Sequence, residues 1–324
     1  MKTSNHLLRR LTAALLAAVL ALSIALPVFA SDDGDTIYIN SVSDLLSLAR
    51  NCAYDQWSVG KTVILQKDLS LEGMLWEPIP SFSGQFKGNG HTISDLTITG
   101  QYSPAGLFGI VEEQGSIESL SVRGVVSVSD SADTTTGGIV GVNHGTLINC
   151  QFTGVVTGDS EVGGIVGRNE SEGTIDHGTA RAIVTGKSST GGIAGYNLGA
   201  ITGCTNVGSI NTEYPEASLD TDGFTAKMVD YINNKMAAAD NDATNSVTNV
   251  ATDTGGIAGR SSGMILTSVN TGTIGYEHVG YNVGGIVGRT DGLVSGCVNQ
   301  GRVLGRKDVG GIAGQAEPYR ELDL

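Results

Sequence analysis

The chain is expected to be all-β: a right-handed parallel β-helix with three short strands per coil, an N-terminal cap helix and one helical insertion. Three observations carry this expectation. A five-residue signature of the form GGIxG recurs at 137–141, 163–167, 191–195, 255–259, 284–288 and 310–314, with a looser copy, AGLFG, at 105–109. Apolar residues stay in register from copy to copy. The 47 glycines beside only 5% aromatic residues suit an aliphatic core made by stacking.

The second glycines of the copies are 32, 26, 28, 64, 29 and 26 residues apart. A dinucleotide fingerprint occurs once, between a strand and a helix, so this repetition excludes a phosphate-binding loop. A period of this size marks a solenoid, in which each unit buries its apolar face only against its neighbours. The 64-residue step is two turns, or one turn carrying an insertion.

Each unit contains three apolar columns. The first is Leu107, Ile139, Ile165, Ile193, Ile257, Ile286 and Ile312; the second is Ile117, Leu147, Ile175, Ile201, Ile265 and Val294. The third is Val126, Val156, Val184, Ile210, Ile274 and Val303. Stacked coils put like residues about 4.8 Å apart, and the crossover preference makes the coil right-handed. Asn143, Asn169 and Asn197 share one turn position, and Asn206, Asn270 and Asn299 another, so their amides can bond from coil to coil. Gly124, Gly154, Gly208, Gly272 and Gly301, with Ala182 in place of one, mark a bend that a side chain would crowd.

From the N-terminus, Lys2, Arg9 and Arg10 precede an apolar run at 11–26, then Pro27 and Val28-Phe29-Ala30. Residues 1–30 are therefore expected to be a secretory signal peptide, with an uncleaved anchor as the rival. The stretch 31–100 forms a flexible acidic leader, a cap and the first coils. Within it, Ser41 or Ser43 caps a helix running through Ala53, with Leu45, Leu46, Leu48 and Ala49 on its apolar face. Coils fill 101–212.

An insertion follows at 213–253. There Phe224, Met228, Tyr231, Ile232 and Met236 recur at helical spacing after Asp222 as N-cap. Coils resume over 254–324, where GGIAGQAEPYRELDL is expected to reach only one strand into an incomplete last coil. The insertion leaves between a third strand and the next GG pair. One coil on, GYEHVGYNVGG brings Tyr276, Glu277, His278 and Tyr281 to the same corner. Tyr231, Tyr276, His278 and Tyr281 form the candidate ligand patch, suited to a sugar or peptide, against the plainer reading of a solvated loop.

The first 30 residues hold three of the 19 basic residues and none of the 33 acidic ones, so the remainder carries 16 against 33. That excludes nucleic acid and an anionic membrane surface as partners. After signal cleavage no membrane insertion is expected. Cys150, Cys204 and Cys297 share a column with Leu120, Gly178 and Ser268. Gly178 separates the first two by two strand spacings, about 9.6 Å, beyond disulfide reach. The thiols are expected free.

No HExxH, GxSxG or P-loop lysine motif occurs, and no metal, cofactor or catalytic residue is expected. The acids Asp159, Glu161, Asp176, Asp291 and Asp308 show no column repeated between coils. Arg168, Arg260 and Arg289 do share a position, with Val142, Tyr196 and Gln315.

The units GGIVGVNHGTLINC, GGIVGRNESEGTIDH, GGIAGYNLGAITGC and GGIVGRTDGLVSGC resemble the GLUG motif of large bacterial surface proteins. These include adhesin-like proteins and immunoglobulin A-cleaving zinc metalloproteases. The lead-in FSGQFKGNGHTISDLTI followed by AGLFG is similar as well, and the resemblance spans roughly 80–320. It implies a β-helix that is secreted or displayed on a bacterial surface, often within a longer chain. It carries over no catalytic residue, since the metalloprotease zinc motif is missing here.

The function expected is adhesion or scaffolding without catalysis, with an extracellular glycan or protein as ligand. The alternatives are a carbohydrate-active β-helix enzyme, which would need converging carboxylates, and a spacer region of a larger surface protease or adhesin. A C-terminal continuation or a capping partner is the expected cover for the open last coil.

Overall fold

The computed structural model describes residues 35–54, 56–128, 134–212 and 251–317. The signal peptide expected at 1–30, most of the acidic leader after it, the helix placed at 224–239 and its Tyr231 lie outside the described residues. The unit beginning at Thr36 is a parallel β-solenoid.

One coil shows the plan. Thr136–Gly137 belongs to sheet I, Val140–Asn143 to sheet II, Thr146–Ile148 to sheet III and Gln151–Thr157 to sheet IV. These sheets contain six, eight, nine and nine strands. Every coil-to-coil strand pairing is parallel, and apart from one shift between Ile93 and Leu96 it is in register, as in Leu147 with Ile175 and Val156 with Val184. The coil thus has four sides where the sequence suggests three. The GG pair is itself a corner, dividing one apolar segment into a short strand before it and another after it. A Cβ on Gly164, Gly192, Gly256 or Gly285 would overlap the carbonyl oxygen of the second glycine one coil on. Only glycine lets the backbones approach that closely.

The three predicted columns form the interior. Ile139, Ile165, Ile193, Ile257 and Ile286 are each 0% exposed, as are Leu147, Ile175, Ile201 and Ile265. Each such burial contributes about 1.5–3 kcal/mol. The asparagine columns are hydrogen-bonded ladders. Asn143 Nδ2 donates to Asn169 Oδ1 and Asn169 Nδ2 to Asn197 Oδ1, both at 2.8 Å. Asn206 donates to Asn270 and Asn270 to Asn299, again at 2.8 Å. The first ladder starts abruptly: the preceding coil places Val111 in register with Asn143, whose buried Oδ1 has no partner among the described residues.

Helix α1, Val42–Asn51, covers the N-terminal end. Ser41 is its N-cap, accepting from the Asp44 amide at 3.2 Å, while Asp44 accepts from the Asn40 amide at 2.9 Å. These bonds satisfy amides that the first helical turn cannot. Leu45 and Leu48 are buried, and Leu46 and Ala49 pack against the core. Beneath α1 the core is more aromatic than the composition suggested. Phe82, Phe86 and Phe108 pack with ring centroids 5.4–6.3 Å apart. Buried Trp76 donates its indole N–H to the Leu107 carbonyl at 3.1 Å.

The 64-residue step is one coil with an excursion. Ser188–Gly191 pairs directly with Thr252–Gly255, and Ala194–Asn197 with Ala258–Ser261. The coil therefore resumes at Thr252, slightly before the boundary at 254 suggested by sequence. The last coil contributes two strands, Lys307–Gly310 and Ala313–Ala316, one more than the sequence suggested. The cysteine column also holds. Cys204 Sγ accepts from the Gly178 amide at 3.2 Å, and the Cys204 amide donates to Ser268 Oγ at 3.2 Å.

Candidate functional site

The corner between sheet IV and sheet I is where coils differ most. Register places Gly158 and Asp159 there in one coil, and Gly186 and Lys187 in the next. The following coil has residues 212–251 at this place, the one after has 276–280, and the last has Gly305 and Arg306. The sheets on either side keep their register throughout. The frame is thus held while this edge varies, as surface loops on a rigid scaffold do.

Three of the four predicted patch residues lie on this edge. Tyr276 and Val279 form an antiparallel bridge, closed by the Val279 amide donating to the Tyr276 carbonyl at 3.2 Å. This small hairpin lifts Glu277 and His278 outward, with side chains 66% and 89% exposed and 3.8 Å apart. His278 takes φ +60°, which the turn requires. Tyr281 opens the strand Tyr281–Gly284 and pairs with Thr252, the first strand residue after the excursion. The Arg306 guanidinium sits 5.8 Å from the Tyr281 ring centroid, covering one face. The edge thus offers two phenols, an imidazole and a carboxylate for hydrogen bonding, with little apolar enclosure.

The arginine position forms an outward column on sheet II: Val142, Arg168, Tyr196, Arg260, Arg289 and Gln315. Tyr196 lies between Arg168 and Arg260, whose guanidinium carbons are 5.0 and 5.2 Å from its ring centroid. Arg168 pairs with Glu161 at 2.7 Å and Glu170 at 2.6 Å, and Arg289 with Glu317 at 2.7 Å. Partial burial works against the charge of Arg168, but these carboxylates outweigh it and raise its pKa. The column is a mostly neutralised stacking ladder, not a basic stripe awaiting an anion.

No strand face carries a column of repeated acids among the described residues, but one turn position gathers four acids interspersed with other residues. The residue after each ladder position stacks along the turn between sheets II and III as Glu112, His144, Glu170, Leu198, Ser262, Asp291 and Glu317. Glu112 also accepts from Ser81 Oγ at 2.7 Å. Comparing strand faces misses this column because it lies on a turn. Reading the eighth position of each signature, as in GGIVGRNE and GGIVGRTD, recovers it. Among the described residues, no group of three or more His, Cys, Asp or Glu side chains could hold a metal ion. No described helix is long and apolar enough to cross a membrane.

No family model matches the chain. Over 155 residues it is 30% identical to halomucin of Haloquadratum walsbyi, covering 44% of this chain and 2% of that protein. Over 137 residues it is 29% identical to a provisionally named Gly-rich membrane protein of Evansella cellulosilytica, covering 31% and 16%. The chain therefore spans a small part of either relative. A provisionally named immunoglobulin A1 protease from Bacteroides ovatus has a similar structure, with a TM-score of 0.54 and 18% identity over 90% of this chain and 86% of that one. At that identity the likeness shows the fold alone.

Proposed function

We propose that this chain is a secreted or surface-displayed β-solenoid module, with GLUG-type repeats, that binds an extracellular glycan or protein without chemical turnover. The observation that carries the reading is the edge between sheets IV and I. Coil length varies there by insertion while the flanking strands stay in register, and Tyr276, His278 and Tyr281 lie on the same edge. The similarity to stretches of two much longer proteins, one named as a membrane protein, supports a modular, surface-associated role. The acidic balance suits an exposed extracellular surface.

The test is retention on glycan and extracellular-protein arrays, followed by mass analysis of the recovered ligand. Binding should weaken about tenfold or more in a Tyr276→Ala, His278→Ala, Tyr281→Ala variant with an unchanged melting temperature. A ligand recovered intact supports a binder. A second reading, polysaccharide cleavage, draws on the Glu112–His144–Glu170 column. Shortened products that disappear in Glu112→Gln or Glu170→Gln would establish it instead.

A further inference from the structure

Sheet IV is apolar on its outside as well as its inside over three consecutive coils. Val126, Val156 and Val184 are core residues at 0% exposure. The residue before each is Val125, Val155 or Ile183, and these three face outward in one register row. Val125 and Ile183 are 40% and 44% exposed, and Val207, on the coil from which the excursion departs, is 41% exposed. The row is polar to either side. Thr97 precedes Val125, and Ser209 follows Ile183. The stacking of Ile210, Ile274 and Val303 then brings Thr273 and Arg302 into the same row. The apolar stripe is thus confined to the coils just ahead of the excursion. Parallel strands that are apolar on both faces are ordinarily covered on both, commonly by helices.

The excursion matches this stripe in sequence, length and charge. Phe224, Met228, Ile232 and Met236 recur every four residues, close to one helical turn. Helical turns are about 5.4 Å apart and coils about 4.8 Å, so neighbouring turns meet neighbouring coils. A helix over 224–236 would be about 20 Å long, roughly four coil spacings. Twelve residues lie between Asn211 and Phe224, and fifteen between Met236 and Thr252. The shorter arm extends to about 40 Å, whereas Val125 lies three coils, about 14 Å, back from Ser209. Residues 213–250 hold seven acids and two lysines, and exposed Arg123 and Arg181 border the stripe two positions along their strands.

We propose that residues 224–236 dock as an amphipathic helix on the outward face of sheet IV, along Val125, Val155 and Ile183, with their acidic flanks beside Arg123 and Arg181. The Asn211–Thr254 hydrogen bond holds both ends of the excursion at this sheet. That tether gives the segment an effective concentration at the stripe that a separate molecule lacks.

The test places a photo-crosslinking residue at Ile183 in the full chain and maps the crosslinked peptides. Mixing normal and heavy-isotope copies separates contacts within one chain from contacts between two. The expected product joins position 183 to a residue of 224–236 in the same chain. Met228→Asp combined with Ile232→Asp should cut its yield about tenfold or more, because the carboxylates would be buried against the stripe. Amide protection of Val140–Asn143 should stay unchanged in both proteins. Crosslinks between two copies, or only to other parts of the chain, would overturn the inference. So would the absence of crosslinks, or insensitivity to the paired aspartates.

Discussion

Asn211 Nδ2 donates to Thr254 Oγ1 at 3.0 Å, joining residues that flank the whole excursion at 212–251. Its Oδ1 accepts from the Gly186 amide of the preceding coil at 2.9 Å, and its φ is +50°. One side chain thus ties the departing chain to the coil before it and to the strand that resumes after it. Replacing 212–251 by Gly-Lys, the pair at 186–187, should leave a folded solenoid, checked by circular dichroism and amide exchange. Asn211→Gly, which tolerates the same φ, should cost about 1–3 kcal/mol in urea unfolding.

The ladders predict a gradient along the stack. Asn169 accepts from Asn143 and donates to Asn197 and to the Gly173 carbonyl, all buried. Asn169→Leu should destabilise by about 2–4 kcal/mol, because it strands polar groups on both sides. Asn299→Leu, half-buried at the open end, should cost less than half as much. Equal losses would show that the stacked amides do not act through their coil neighbours.

Glycines at one motif position should differ sharply. Gly285→Ala sets a Cβ against the Gly311 carbonyl, whereas Gly311→Ala meets nothing within 4 Å. The first should cost about 1–3 kcal/mol or more. The second should stay within about 0.5 kcal/mol, as surface changes do. Melting temperatures of the two variants decide the matter.

Burial pushes the Cys150 and Cys204 thiols up to about 12, and Cys52 up to about 11, from an ordinary value of 9.0. The native protein at pH 8 should therefore label fastest at half-buried Cys297, and all four thiols should react after unfolding without reductant. The linkage sign follows from the raised values. Unfolded thiols lose protons first, so this contribution is intact below pH 9 and falls away as pH rises toward 12. Titration with a thiol reagent, and unfolding curves from pH 8 to 11, test both statements.

Much of the frame was legible because a solenoid writes its contacts as repeats. Ile139 and Ile165 stack because they occupy the same place in successive units, and spacing alone exposes that. The Ser41 cap and the cysteine register were readable for the same local reason. The aromatic packing of Phe82, Phe86 and Phe108 was not, since it depends on α1 closing the end over non-repeating coils. The mixed turn position from Glu112 to Glu317, four of whose seven residues are acidic, escaped because turn residues follow a strand by a fixed step yet show no apolar period. Of the candidate patch, register locates Tyr276, His278 and Tyr281 along one edge, while Tyr231 lies outside the described residues.

The sequence by itself determined the parallel stack, its interior columns, the asparagine ladders and the edge that takes insertions. Each follows from side chains meeting their own counterparts one coil away. Only the tertiary structure decided that GG is a corner and so gives the coil a fourth side. It alone revealed that Arg168 is answered by Glu161 and Glu170 and Arg289 by Glu317, and that Asn211 closes the excursion onto Thr254. Those outcomes depend on which residues from different sides of a coil meet across a corner, and a one-dimensional repeat does not encode the angle at which its sides turn.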